Sequence, residues 1–178
     1  MGYGTIKNCH TACVEILKNY GLTEFGSPNH VFKLMYETGD PSELKFYGDN
    51  PIENHYKAVQ CIDCHLEAGR PIIVGVHHTL DYRPKNNQPI NEGTTDHFIV
   101  INGRGISNGL NYYTYYEVGT SLINEHGCNN VTNRLIYNPG VPTFSGSQYF
   151  TGEEKSYTVT QVRPNDGDTN GTISQFAK

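Results

Sequence analysis

The spacing of apolar positions changes along this chain, and each change predicts an element. Cys9, Ala12, Cys13, Ile16, Leu17 and Tyr20 recur at helical spacing on one face, with Asn8 placed as an N-cap and Gly21 as a stop. Val31, Leu34 and Met35 continue a second helical pattern, which Ser27-Pro28-Asn29 would open and Gly39-Asp40-Pro41 would break. Residues 40–52 read as a surface loop with an apolar anchor at Leu44 and Phe46. A third helix is expected over 53–68, with Tyr56, Val59, Cys61 or Ile62, and Leu66 facing inward and Gly69 ending it.

Past Arg70-Pro71 the pattern shifts to strands. Ile72-Ile73-Val74-Gly75-Val76 is a continuous apolar run and reads as a strand covered on both faces. Residues 77–93 are polar and too long for a simple turn, and loops of that length in compact domains are usually functional or mobile. A second buried strand is expected over 94–102 with His97 at its start, then a hairpin-type connection over 103–110 and a Tyr-rich strand over 111–118. Residues 133–137 and 156–162 read as further strands. The pattern predicts an α+β fold, one domain over residues 1–162 followed by a polar tail over 163–178.

Composition narrows the partners. A chain of 178 residues suits one domain, and since only 36% of it is apolar, the 13 Tyr and 7 Phe must supply much of the core. The net charge of −5 and the lack of a Lys/Arg run argue against nucleic acid or an anionic membrane as partner. No run approaches the roughly 20 apolar residues of a membrane span, and Met1-Gly2-Tyr3 does not begin a signal peptide. A cytoplasmic origin is expected, with any export through a dedicated secretion system. Five cysteines cannot all pair within the chain.

The first helix carries the candidate chemistry. A cysteine in a helix's first turn feels unpaired backbone N–H groups and the positive end of the dipole, which favour thiolate, so Cys9 is placed as a nucleophile. Cys13, one turn deeper, reads as core; a core thiol is also the plain reading of Cys9 taken alone. A thiol nucleophile needs a base, and the base needs an orienting group. His97, presented from a rigid strand end, is the candidate base. A hairpin centred on 103–110 would set His97 opposite Tyr116 or Glu117, so Glu117 is the candidate orienting acid. A one-residue slip would turn Glu117 away, leaving Asp96 as the substitute. The alternatives are a strand-capping histidine and a solvated carboxylate.

Asn8-Cys9-His10-Thr11-Ala12-Cys13-Val14-Glu15-Ile16-Leu17 resembles the nucleophile helix of papain-like cysteine peptidases, closest to the bacteriocin-leader-processing group. Residues 66–76 look like the helix-to-strand junction of that family, and Asp96-His97-Phe98-Ile99-Val100-Ile101 like its histidine strand. The resemblance covers about residues 3–120 in segment order. It implies a papain-like fold, an N-terminal nucleophile helix packed against an antiparallel sheet, with Cys9 as nucleophile, His97 as base and acid, and Glu117 as third member. It further implies a hydrolase acting on a protein or a peptidoglycan stem peptide, with no metal or organic cofactor, and it includes bacterial effector and toxin domains, for which an immunity protein would cover the cleft. The family's oxyanion Gln is replaced by Tyr3, so Tyr3 or Asn8 would take that role, and His10 stands where the family has Gly. His10, His77 and His78 are candidate substrate contacts, the last two against the plain reading of exposed loop histidines. A side-chain amidase or deamidase, a peptidoglycan amidase and a non-catalytic binding module of the same fold are the alternatives.

Two other cysteine and histidine patterns compete. Cys61-Ile62-Asp63-Cys64-His65 has the form of a haem-attachment motif, and Cys61, Cys64 and His65 with His77 or His78 could offer zinc four ligands. The favoured reading is that Cys61 packs inward while Cys64 and His65 lie at a helix surface.

Overall fold

A computed structural model describes residues 9–22, 31–37, 44–77, 95, 97–118, 133–150 and 153–164. Among these, two helices, α1 (Cys9–Asn19) and α2 (Pro51–Glu67), accompany nine strands. The strands are β1 (Phe32–Lys33), β2 (Met35–Glu37), β3 (Leu44–Phe46), β4 (Ile72–His77), β5 (His97–Ser107), β6 (Leu110–Tyr116), β7 (Arg134–Tyr137), β8 (Phe144–Phe150) and β9 (Glu153–Arg163). Six of them, in the order β4-β5-β6-β7-β8-β9, form an antiparallel ring that the β9–β4 and β8–β9 pairings close. β1 adds to β9 beyond the ring, and β2–β3 is a separate hairpin.

This closed barrel, mostly β among the described residues, overturns both the expected α+β class and the expected papain-like arrangement of a helix against a sheet. The reason lies in the last third of the chain. β8, which the apolar pattern does not announce, pairs with β7 on one side and β9 on the other, and β9 returns to β4. Closure removes the unpaired edges that an open sheet would leave. A barrel of this size has an interior that side chains fill: Val74, Val76, Ile99, Ile101, Tyr113, Tyr115, Leu135, Tyr157 and Val159 belong to one buried cluster.

Both helices that survive from the sequence reading end as expected, with Gly21 at φ 75° and Gly69 at φ 70° taking the left-handed conformation that glycine adopts without strain. α2 starts on Asn50, whose side chain accepts a hydrogen bond from the Glu53 backbone N–H at 3.2 Å. Of the expected inward positions Cys61 and Ile62 are buried and Val59 and Leu66 pack partly buried against the core, joined by buried His55, Ala58 and His65, whereas Tyr56 is exposed. α2 lies by the barrel end where Tyr113 donates to Asp63 Oδ1 at 3.0 Å and Arg104 pairs with Asp63 and Glu67.

The second expected helix does not form over 32–37. Phe32 and Lys33 instead pair with Val162 and Gln161, and Met35 to Glu37 pair with β3. Phe32, Leu34 and Met35 are buried by these contacts, and six residues are too few for their period to choose between helix and strand. The loop expected over 40–52 contains β3, in which Leu44 is half-buried and Phe46 exposed. The connection expected over 103–110 shrinks to Asn108-Gly109, both at positive φ, the turn that matches the twist of a two-residue hairpin. Strand pairing runs through Gly103 and Gly105 because side chains of β6 lie over them: a Cβ on Gly105 would stand 2.5 Å from the Tyr112 hydroxyl.

α1, with 11 residues, is too short to hold itself and rests on the outer face of the barrel. Cys13 and Leu17 are fully buried against Ile73, Phe98 and Val100. Burying one such apolar side chain contributes about 1.5–3 kcal/mol, so this contact fixes where the helix starts.

Candidate active site

The helix start, the start of β5 and the end of β6 meet at the barrel end away from α2. His97, paired with Val76 at the mouth, is buried, and its Nε2–H donates to Glu117 Oε1 at 2.7 Å. Cys9 is in hydrogen-bond contact with His97. With Nε2 engaged by Glu117, Nδ1 is the ring nitrogen left for the thiol.

The local reason that Glu117 faces His97 is a bulge. From Ser107↔Leu110 to Gly103↔Thr114 the hairpin keeps one register, but the next pairs are Ile101↔Tyr115 and Val100↔Tyr116, so Asn102 is an extra residue in β5. Without it the continued register would set Glu117 opposite Val100, whose side chain packs under α1 on the outer face. With it Glu117 falls opposite Ile99, on the interior face that His97 shares. Glu117 is thus two residues diagonal to His97 rather than directly across.

The pair polarises the site. Burial works against a charged His97, but the Glu117 carboxylate and the hydrogen bonds to Cys9 and Glu117 outweigh it and raise the imidazole to about 10. Burial also works against the Cys9 thiolate, yet His97 and the backbone N–H groups of Phe98 and His10 lower its pKa below the ordinary 9.0. Cys13 takes the opposite course: full burial, then the negative charge of Cys9 and Glu117, push its thiol well above 9.0. One turn of helix separates a partly exposed thiol whose pKa is lowered from a thiol sealed in the core whose pKa is raised.

Three contributors have no signal in the sequence pattern. Tyr157 in β9 donates its hydroxyl to Glu117 Oε2 at 2.6 Å, 40 residues away in the chain. Thr95 Oγ1 lies 2.7 Å from the Val76 carbonyl oxygen and 2.9 Å from that of His97, sharing its proton between them and tying the start of β5 to β4. Arg163, assigned by composition to a polar tail, is the buried last residue of β9, with its guanidinium 4.8 Å from the Phe98 ring centroid.

The remaining candidates divide. His10 is half-buried at the rim of the site, edge-on to Phe98 with ring centroids 5.0 Å apart. His77 is buried at the end of β4 and pairs with Thr158, not exposed in a loop. Tyr3, Asn8, His78 and Asp96 lie outside the described residues. His65 is fully buried on α2, with Nδ1 2.8 Å from the Cys61 carbonyl oxygen, which corrects its expected place at the helix surface; Cys64 is exposed. Among the described residues no three His, Cys, Asp or Glu side chains gather as a metal site. Comparison of the chain with known protein families, curated proteins and solved structures finds no match.

Proposed function

We propose that this protein is a cysteine-dependent hydrolase that cleaves amide bonds of a protein or peptide. The observation that carries this reading is the line Cys9, His97, Glu117, in which a partly exposed thiol touches a buried imidazole that a carboxylate orients at 2.7 Å. A purely structural thiol has no need of a lowered pKa, and Cys13 on the same helix is the example of one.

In the proposed reaction the proton of Cys9 resides on His97 before substrate arrives. The thiolate attacks the amide carbonyl carbon, and the carbonyl π electrons move to oxygen. As the tetrahedral intermediate collapses, the C–N bond breaks and His97 gives its proton to the departing amine. His97 then takes a proton from water, the hydroxide attacks the thioester carbonyl carbon, and the C–S bond breaks to release the acid, leaving Cys9 as thiolate and His97 protonated as they began. Glu117 holds the imidazolium charge throughout and takes no proton.

The test is chemical labelling followed by turnover. Iodoacetamide is expected to alkylate Cys9 ahead of the other thiols near neutral pH, with a rate that stays level until His97 deprotonates near 10. His97→Ala should remove that preference. With p-nitrophenyl acetate the protein should form an acetyl adduct on Cys9 and then release acetate. Equal labelling of all five cysteines, or an adduct that never turns over, would instead favour a binding module.

A further inference from the structure

We propose that Tyr157 is a positioning residue of this site: its phenol, reaching across the barrel, holds the Glu117 carboxylate in the orientation that keeps His97 against Cys9. The inference rests on the reading of the Cys9 site given above and adds a fourth member to it.

The topology makes the contact unusual. In the ring β4-β5-β6-β7-β8-β9, the strand of Tyr157 stands three places from β6 in either direction, so the 2.6 Å bond from its hydroxyl to Glu117 Oε2 joins opposite walls. Glu117 has two carboxylate oxygens; one accepts from His97 and the other from Tyr157, so the two donors together define the carboxylate plane. Both Glu117 and Tyr157 are fully buried, where a carboxylate that loses a donor cannot recover one from bulk water. The Tyr157 ring is itself fixed, tilted against His97 at 6.0 Å and against Tyr115 at 6.1 Å between centroids. Among the described residues, the ionisable groups that bear on Glu117 and His97 are Cys9 and Cys13 from α1, Tyr115 from β6 and Tyr157 from β9, and His77 ends the adjoining β4. Among these, Tyr157 bonds the carboxylate oxygen that His97 leaves.

The experiment is the pH profile of iodoacetamide alkylation at Cys9 in the full chain. Tyr157→Phe should slow alkylation at neutral pH by about tenfold, the size of one hydrogen bond to a charged group, and move the alkaline end of the plateau to lower pH. Tyr113→Phe is the matched control: it deletes a buried phenol of the same cluster that serves Asp63 on α2, and it should leave the profile unchanged. In the Glu117→Gln background, Tyr157→Phe should have no further effect on the alkaline end. Should Tyr157→Phe not fold, Tyr157→4-aminophenylalanine, a weaker donor of nearly the same shape, should move the plateau in the same direction by less. A profile that stays in place, or shifts to higher pH, in the folded variant overturns the assignment. If the wild-type protein shows no reactive Cys9 at all, it is the hydrolase reading that fails.

Discussion

At the scale of single residues, the thiol site works by contrast between near neighbours. Cys9 and Cys13 differ by one helical turn, and only the first reaches an imidazolium and two backbone donors. The charge of Glu117 is what sustains that imidazolium. Glu117→Gln, which keeps the shape, is therefore expected to lower the His97 value from about 10 toward the ordinary 6.5 and to shorten the alkylation plateau from its alkaline side, as a pH–rate profile would show. His55 responds to pH in the other direction. It is buried on α2 with its ring centroid 4.2 Å from that of Phe144, and burial lowers its pKa below 6.5 despite a hydrogen bond with the Thr143 backbone. The unfolded chain then binds the proton first as pH falls, so the stability tied to a neutral His55 is present above 6.5 and lost below it. Urea melts at successive pH values should show a midpoint that declines on acidification, and His55→Leu should flatten that decline.

At the scale of elements, two close approaches set the geometry that the site needs. A Cβ on Gly75 would stand 2.6 Å from Gln161 Cγ and 2.8 Å from Thr95 Oγ1, so β4 and β9 meet as they do only because no side chain intervenes. Thr95 also braces the carbonyl of His97. Gly75→Ala is expected to destabilise the protein by about 1–3 kcal/mol through overpacking and to slow Cys9 alkylation, because the displaced Thr95 carries the start of β5 with it. Chemical denaturation and the alkylation rate, measured on the same variant, check the two effects together.

The helix bearing Cys9 and the strand bearing His97 were legible because their patterns are local. The helix start, the apolar run of β4 and the strand after His97 each announce themselves within a dozen residues. The bulge at Asn102 does not, yet it decides which face Glu117 occupies. A hairpin centred on 103–110 puts the turn two residues early and omits the bulge; the first error keeps parity and the second reverses it, so strict pairing in that hairpin sets Tyr116, not Glu117, on the face of His97. Glu117 was reached from an inaccurate register.

At the scale of the whole molecule, closure of the barrel and assembly of the site are one event. β4 and β8 both reach β9 at Thr158, and the neighbouring Tyr157 pairs with Gly146. A Cβ on Gly146 would lie 2.4 Å from the Arg134 carbonyl oxygen, a backbone atom that cannot step aside without moving β7. Gly146→Val should therefore lower the denaturation midpoint and, by shifting Tyr157, lower the reactivity of Cys9 in proportion. A variant that loses stability but keeps the wild-type alkylation rate would show closure and site to be independent.

The sequence alone determined what depends on short range: where α1 and α2 end, that residues 72–76 form a buried strand, and which thiol and which imidazole to consider as a pair. Tertiary structure decided the rest. Whether residues 32–37 became strand turned on the partner β9 offered them, and whether the sheet stayed open or closed turned on β8 and β9 finding each other and β4. The support for Glu117 came from a phenol on the opposite wall. Periodicity records which face of an element is apolar; it holds no record of which distant element will cover that face.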